Sequence, residues 1–103
     1  MSGRSSRTKG ATGEREVVSF LRDAGFDCHR QPHSGALSWA KGDIAGTEYV
    51  IEVKRCETVR MADWVKQATE QARGKPWLLI HRRSREEWKV TMPLSQWLAE
   101  QEV

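Results

Sequence analysis

Asp43, Glu52 and Lys54 are the residues of this chain best placed to do chemistry together. Glu52-Val53-Lys54 lies in a run from Tyr49 to Arg55 whose apolar members, Tyr49, Ile51 and Val53, alternate with other residues. A strand sends successive side chains to opposite faces, so Glu52 and Lys54 project together and the apolar set takes the other face. The alternation predicts a buried Ile51 and Val53 and an accessible Glu52 and Lys54. Asp43 stands across a Gly46-Thr47 turn, on what reads as the partner strand. With those two residues as the loop, Asp43 faces Val50 and shares the face of Glu52 and Lys54, and the Asp43–Glu52 diagonal is ~7–8 Å. A three-residue loop would turn Asp43 the wrong way unless a bulge restored it. Two carboxylates and an ammonium on one patch of sheet suit a hard divalent cation such as Mg²⁺. Such an ion takes one or two protein carboxylates and completes its shell with water and phosphate. The chemistry in view is a metal held against a phosphodiester.

The rest of the chain must position that patch. A helix is predicted from about Thr12 or Gly13 to Ala24, with Val17, Phe20, Leu21 and Ala24 as its buried stripe and Gly25 as its stop. Phe26 to Arg30 reads as a short strand, and residues 31–42 as a mobile polar loop on the site side, with Trp39 out of place in it. Strands near Asp43–Ala45 and Tyr49–Arg55 follow. A second amphipathic helix carries Met61, Trp64, Val65, Ala68 and Ala72 and stops at Gly74. Trp77-Leu78-Leu79-Ile80 reads as a strand buried on both faces, and Trp88 and Val90 as an edge strand. A last helix, Leu94 to Gln101, is expected to bury Leu94, Trp97 and Leu98. The order implies an α/β (α+β) fold: a mixed five-stranded sheet flanked by helices, in one domain over residues 10–103.

Charge narrows the partners. The 103 residues carry a net charge of +3, unevenly spread. Arg4, Arg7 and Lys9 precede any acidic residue, and Arg82, Arg83 and Arg85 cluster late. Residues 1–9 are expected to form a flexible basic arm. Basic arms and patches favour polyanions through counterion release, although the same charges also serve as a solvated tail and turn. No apolar run reaches the roughly 18 residues of a membrane span, and no secretory signal is expected, so a cytoplasmic protein without membrane contact is the expectation. Cys28 and Cys56 read as reduced thiols. Cys28, His29 and His33 lack a second ligand pair at zinc-like spacing. Glu14 and Glu16 open the first predicted helix, where the helix dipole alone would favour them; Glu14 could equally be a third carboxylate reaching the metal patch.

Taken in order, Lys9-Gly10-Ala11 with Glu14-Arg15-Glu16, Gly25-Phe26, Arg30, Ser34-Gly35, Asp43-Ile44 and Ile51-Glu52-Val53-Lys54 resemble the PD-(D/E)-x-K nuclease superfamily. More narrowly, the set is similar to archaeal-type Holliday-junction resolvases and their small phage or bacterial relatives. The resemblance implies a restriction-endonuclease-like core and a magnesium-dependent endonuclease, with Mn²⁺ substituting for Mg²⁺, acting as a homodimer on branched DNA at four-way junctions. It implies Glu14, Asp43 and Glu52 as the acidic metal-site residues and Lys54 as the catalytic lysine. Arg15 and Arg30 correspond to basic residues near the DNA backbone, and Ser34 to a loop serine; the arm residues Arg4, Arg7 and Lys9 would hold phosphates. The family often has proline before the aspartate, where this chain has Gly42. A nicking or flap-type nuclease of the same superfamily and a non-catalytic nucleic-acid-binding module are the alternatives.

Overall fold

The structure is a computed structural model that describes residues 3–31 and 42–101, with side chains from residue 10 onward. Ser34 and Trp39 lie outside the described residues, as do the side chains of Arg4, Arg7 and Lys9.

Among the described residues the elements are α1 (Gly3–Asp23), β1 (His29–Arg30), β2 (Ile44–Ala45), β3 (Val50–Arg55), α2 (Met61–Ala72), β4 (Trp77–Arg82), β5 (Lys89–Thr91) and α3 (Leu94–Glu100). The strands form one sheet in the order β1-β2-β3-β4-β5. Only β3 and β4 are parallel, in register from Val50 beside Trp77 to Arg55 beside Arg82. Parallel neighbours need a long crossover, which α2 provides. The mixed sheet flanked by helices is the architecture the pattern implied.

Each face of the sheet has its own core. Val17, Val18, Cys28, Ile44, Ile51, Val53 and Ile80 pack on the α1 side. Val50, Trp64, Ala68, Ala72, Trp77 and Leu79 pack on the α2 side. The face shared by Val50, Glu52 and Lys54 is therefore covered by α2 at Val50 and Glu52, the latter only 4 % exposed, while Lys54 at its end stays partly exposed. The accessible face expected from alternation is corrected here. Apolar alternation locates one buried face but says nothing of a crossover helix laid on the other.

Helix α1 starts well upstream of the expected position, so the backbone of the basic segment is helical from Gly3. No proline occurs before Pro32 to stop it. Glu14 and Glu16 are consequently mid-helix, and the first turn holds no acidic residue; the dipole cannot be their reason for being there. The buried stripe is Glu14, Val17, Val18 and Leu21, the i, i+3, i+4, i+7 set of a helix face. Phe20 and Ala24 fall off it, and Phe20 is 64 % exposed.

At the other end α3 buries none of its residues: Leu94 is 70 % and Trp97 47 % exposed, and Leu98 is also exposed. Its attachment is polar. The Gln96 side chain accepts from Trp77 N at 3.0 Å and donates to Trp77 O at 2.7 Å, capping the start of β4. The expectation that Leu94, Trp97 and Leu98 form core is corrected; two helical turns present one inner edge, and Gln96 occupies it.

Candidate active site at the fork of β2 and β3

The hairpin register decides whether Asp43 can meet Glu52. Ile44 pairs with Ile51, leaving four residues, 46–49, between the strands rather than two. The loop is still even, so parity is kept, and Asp43 comes level with Glu52 instead of Val50. Thr47 helps fix the longer loop: its hydroxyl accepts from Tyr49 N at 3.1 Å. The Asp43 backbone N donates to Ile51 O at 2.7 Å, and its Oδ2 accepts from Val53 N at 2.7 Å. The carboxylate is thus tied across β3 one residue beyond Glu52.

Gly42 makes this possible. Its φ is +81°, and an added Cβ would lie 2.8 Å from Ile51 O. Proline, fixed near φ −65°, cannot adopt this conformation, so the turn requires the glycine that stands there. Gly42→Ala is expected to cost at least about 1–2 kcal/mol of stability and to move Asp43 away from Glu52. Chemical denaturation paired with a cleavage assay would check it; unchanged stability would show that the left-handed turn is not required.

Glu52 carries the electrostatic signature of the site. Burial, then the charge of Asp43, push its pKa up from 4.5 to about 7; Lys54 acts the other way and Glu14 adds a smaller upward push. The other three candidate residues, Asp43, Lys54 and Glu14, therefore all act on the Glu52 carboxyl. Gln67 of α2 reaches it as well, its Nε2 standing 3.5 Å from Glu52 Oε1. Sequence reasoning passed over Gln67, although a glutamine beside the apolar stripe of Trp64 and Ala68 was the available signal.

Glu14, 7 % exposed, accepts from Arg30 Nε at 3.0 Å. The pair joins α1 to β1 beside the hairpin. Removing one partner of a largely buried pair weakens the compensation of the charge that remains. Arg30→Ala is expected to destabilise the fold by about 2 kcal/mol, somewhat under the fully buried case because the Arg30 side chain is a third exposed. A urea titration at low salt would measure it, and a change within error would mean that the pair is idle. Exposed Arg15 shares a surface hollow with Arg30 and Arg22, so the two arginines expected near a DNA backbone lie together.

Glu16 has a different place. It accepts from Arg82 Nη2 at 2.9 Å and Trp88 Nε1 at 3.2 Å, and stands 4.0 Å from Arg55 Nε. Arg82 lies over the Trp88 ring at 5.2 Å. This network ties α1 to the ends of β3 and β4 on the face away from Glu52, and assigns Glu16 to structure.

The residues fit a divalent cation in chemistry more than in closure. Among the described residues no three His, Cys, Asp or Glu side chains form a ready-made enclosing group. What is present is a nearly buried Glu52 whose ionised form is opposed by burial and by two further carboxylates, an arrangement a cation would relieve. Two carboxylates with open positions are the usual provision for Mg²⁺ beside phosphate. No described helix is long and apolar enough to cross a membrane.

Comparison with known proteins agrees with this architecture. A sequence model of the family described as phage putative PDDEXK endonuclease matches residues 5–102. No curated protein matches the sequence significantly. Among solved structures, the chain is similar to Hjc of Archaeoglobus fulgidus, a Holliday junction resolvase from an archaeal hyperthermophile. The TM-score is 0.57 and the identity 27 %, over 80 % of this chain and 73 % of that one. Nucleases built on this core generally depend on a divalent metal. The fold, the hairpin carrying Asp43 and Glu52-Val53-Lys54, and a match over nearly the whole chain lead to one assignment: this chain belongs to the phage PDDEXK endonuclease family.

Proposed function

We propose that the chain is a Mg²⁺-dependent endonuclease that hydrolyses phosphodiester bonds in branched DNA, four-way junctions above all, and works as a homodimer. Asp43 and Glu52 would hold the cation, with Glu14 as the third acidic group and Mn²⁺ able to replace Mg²⁺. The observation that carries this reading is the state of Glu52: almost buried, strained toward neutrality by Asp43 and Glu14, and followed two residues later by Lys54 on the same face. Four-way junctions are favoured because the similarity to Hjc runs over most of both chains.

A bound divalent cation supplies Lewis acidity toward a phosphate oxygen and lowers the pKa of a coordinated water. The protein groups do the rest. Val53 N fixes the Asp43 carboxylate, and Gln67 steadies Glu52. Lys54 places a positive charge where negative charge grows on the phosphate, or holds the attacking water in line. Arg30 pairs with Glu14 inside the fold, while Arg15 and the basic residues Arg4, Arg7 and Lys9 would serve backbone phosphates, with Ser34 as a further DNA contact. Phosphate contacts fix position without reading sequence, so selectivity falls to the shape of the DNA and the spacing of two sites in a dimer.

The test is cleavage of a four-way junction, a flap and a linear duplex in Mg²⁺, each with an EDTA control. Preferential paired cuts in the junction are expected. Equal cutting of all three would reject junction selectivity, preference for the flap would favour a flap-type enzyme, and tight salt-sensitive binding without cleavage in any metal would reduce the chain to a binding module.

A further inference from the structure

The sheet face that carries Glu52 continues beyond Lys54 onto the two remaining strands. Parallel register sets Lys54 beside His81, and antiparallel register sets His81 beside Lys89. Residues paired across strands share a face, so Lys54, His81 and Lys89 form one row over β3, β4 and β5. Strands lie ~4.8 Å apart, and the row therefore runs roughly 10 Å from Lys54 to the sheet edge. A nucleic-acid strand rises ~3.4 Å per nucleotide along its axis, so a strand whose phosphate sits at Lys54 has its next phosphates within reach of Lys89.

The row borders a cleft of about 480 Å³ lined by Val59, Trp64, His81, Arg82, Arg83, Glu86 and Lys89, with Arg82 already paired to Glu16. Trp64 is buried and tilts against the His81 ring, with centroids 6.0 Å apart. His81 Nε2 lies 2.8 Å from Thr91 Oγ1, which holds the ring in place. Two cations share one carboxylate at the rim: Glu86 receives Arg83 Nη2 at 2.8 Å and stands 3.6 Å from Lys89 Nζ. Both cations are about half exposed; Arg83 holds Glu86 through two N–H groups and also feels the charge of Glu57, whereas Lys89 stands farther from Glu86 and faces solvent.

We infer that this cleft is a phosphate subsite, in which Lys89, supported by Arg83, holds a DNA backbone phosphate flanking the one at Lys54. The inference rests on the endonuclease reading and adds a direction to it: the strand leaves the reactive phosphate across β4 toward the β5 edge.

The experiment uses the full chain and the DNA it cleaves fastest. Single-turnover cleavage against enzyme concentration is measured for wild type, Lys89→Ala and Lys89→Arg. The DNA is either unmodified or carries a neutral methylphosphonate at one of the phosphates flanking the mapped cut. Lys89→Ala is expected to raise the half-saturating concentration with little change in the plateau rate, and Lys89→Arg to restore it. Removing one phosphate contact should also make the affinity lost between about 50 and 200 mM salt about threefold smaller. One of the methylphosphonates should weaken wild type and leave Lys89→Ala no weaker than it already is. Wild-type affinity in Lys89→Ala, or a methylphosphonate penalty that adds fully to the substitution, overturns the subsite while leaving cleavage and the endonuclease reading intact. Failure of wild type to cleave or bind any DNA overturns both.

Discussion

Replacing Glu52 by glutamine is expected to abolish cleavage and, at the same time, to stabilise the metal-free protein above pH 7. The first effect follows from losing a carboxylate that holds the cation; a loss on the order of 10³-fold or more in rate is expected, as for removal of a main charge-stabilising group. The second follows from linkage. The folded pKa of Glu52, about 7, exceeds its ordinary 4.5. Between those values the folded state binds more protons than the unfolded state, so stability falls as pH rises through the window. Above about pH 7 the penalty is complete, at most about 3 kcal/mol. Glutamine keeps an oxygen for Gln67 and carries no charge, so Glu52→Gln should melt on the order of 10 °C above wild type at pH 8, with the gap closing toward pH 4.5. Added Mg²⁺ should raise the melting temperature of wild type and leave that of Glu52→Gln unmoved. Thermal melts across that pH range would check this, and a pH-independent difference would show that Glu52 is not strained by its neighbours.

Lys54→Met gives the second large effect. Lys54 is the cation that draws the Glu52 pKa down, against the upward push of burial, Asp43 and Glu14. Without it the Glu52 midpoint should move above 7, shifting the pH-stability curve of the metal-free protein to higher pH. Cleavage should fall about 10²–10³-fold if the ammonium meets charge that develops only in the transition state. In that case the maximal rate drops with little change in DNA affinity. A variant that cleaves at the wild-type rate but binds DNA weakly would make Lys54 a phosphate anchor and not a catalytic group.

These two residues also show what a sequence can and cannot convey here. The parity argument on Asp43 and Glu52 was legible because side-chain direction in a hairpin depends on whether the loop is odd or even. Loop length itself was not legible, since Gly46-Thr47 and the four residues 46–49 both satisfy it. Burial of Glu52 could not be read from alternation, because the helix that covers it, α2, belongs to the crossover over residues 56–76 that joins β3 to β4. Glu14 was ambiguous for as long as the helix start was unknown. Once α1 begins at Gly3, Glu14 heads the buried stripe completed by Val17, Val18 and Leu21, and its pairing with Arg30 becomes a necessity of burial. Phe20 and Trp97 misled in the opposite direction: large apolar side chains at helical spacing look like core whether or not a second element arrives to cover them.

The account stands on Asp43 and Glu52 sharing one divalent cation at the fork of β2 and β3. Anomalous scattering from crystals soaked in Mn²⁺, at concentrations that support cleavage, addresses this without relying on activity. The account predicts a peak between the two carboxyl groups, lost in Glu52→Gln. A peak elsewhere, or none at that fork while the same protein preparation cleaves DNA, would contradict it.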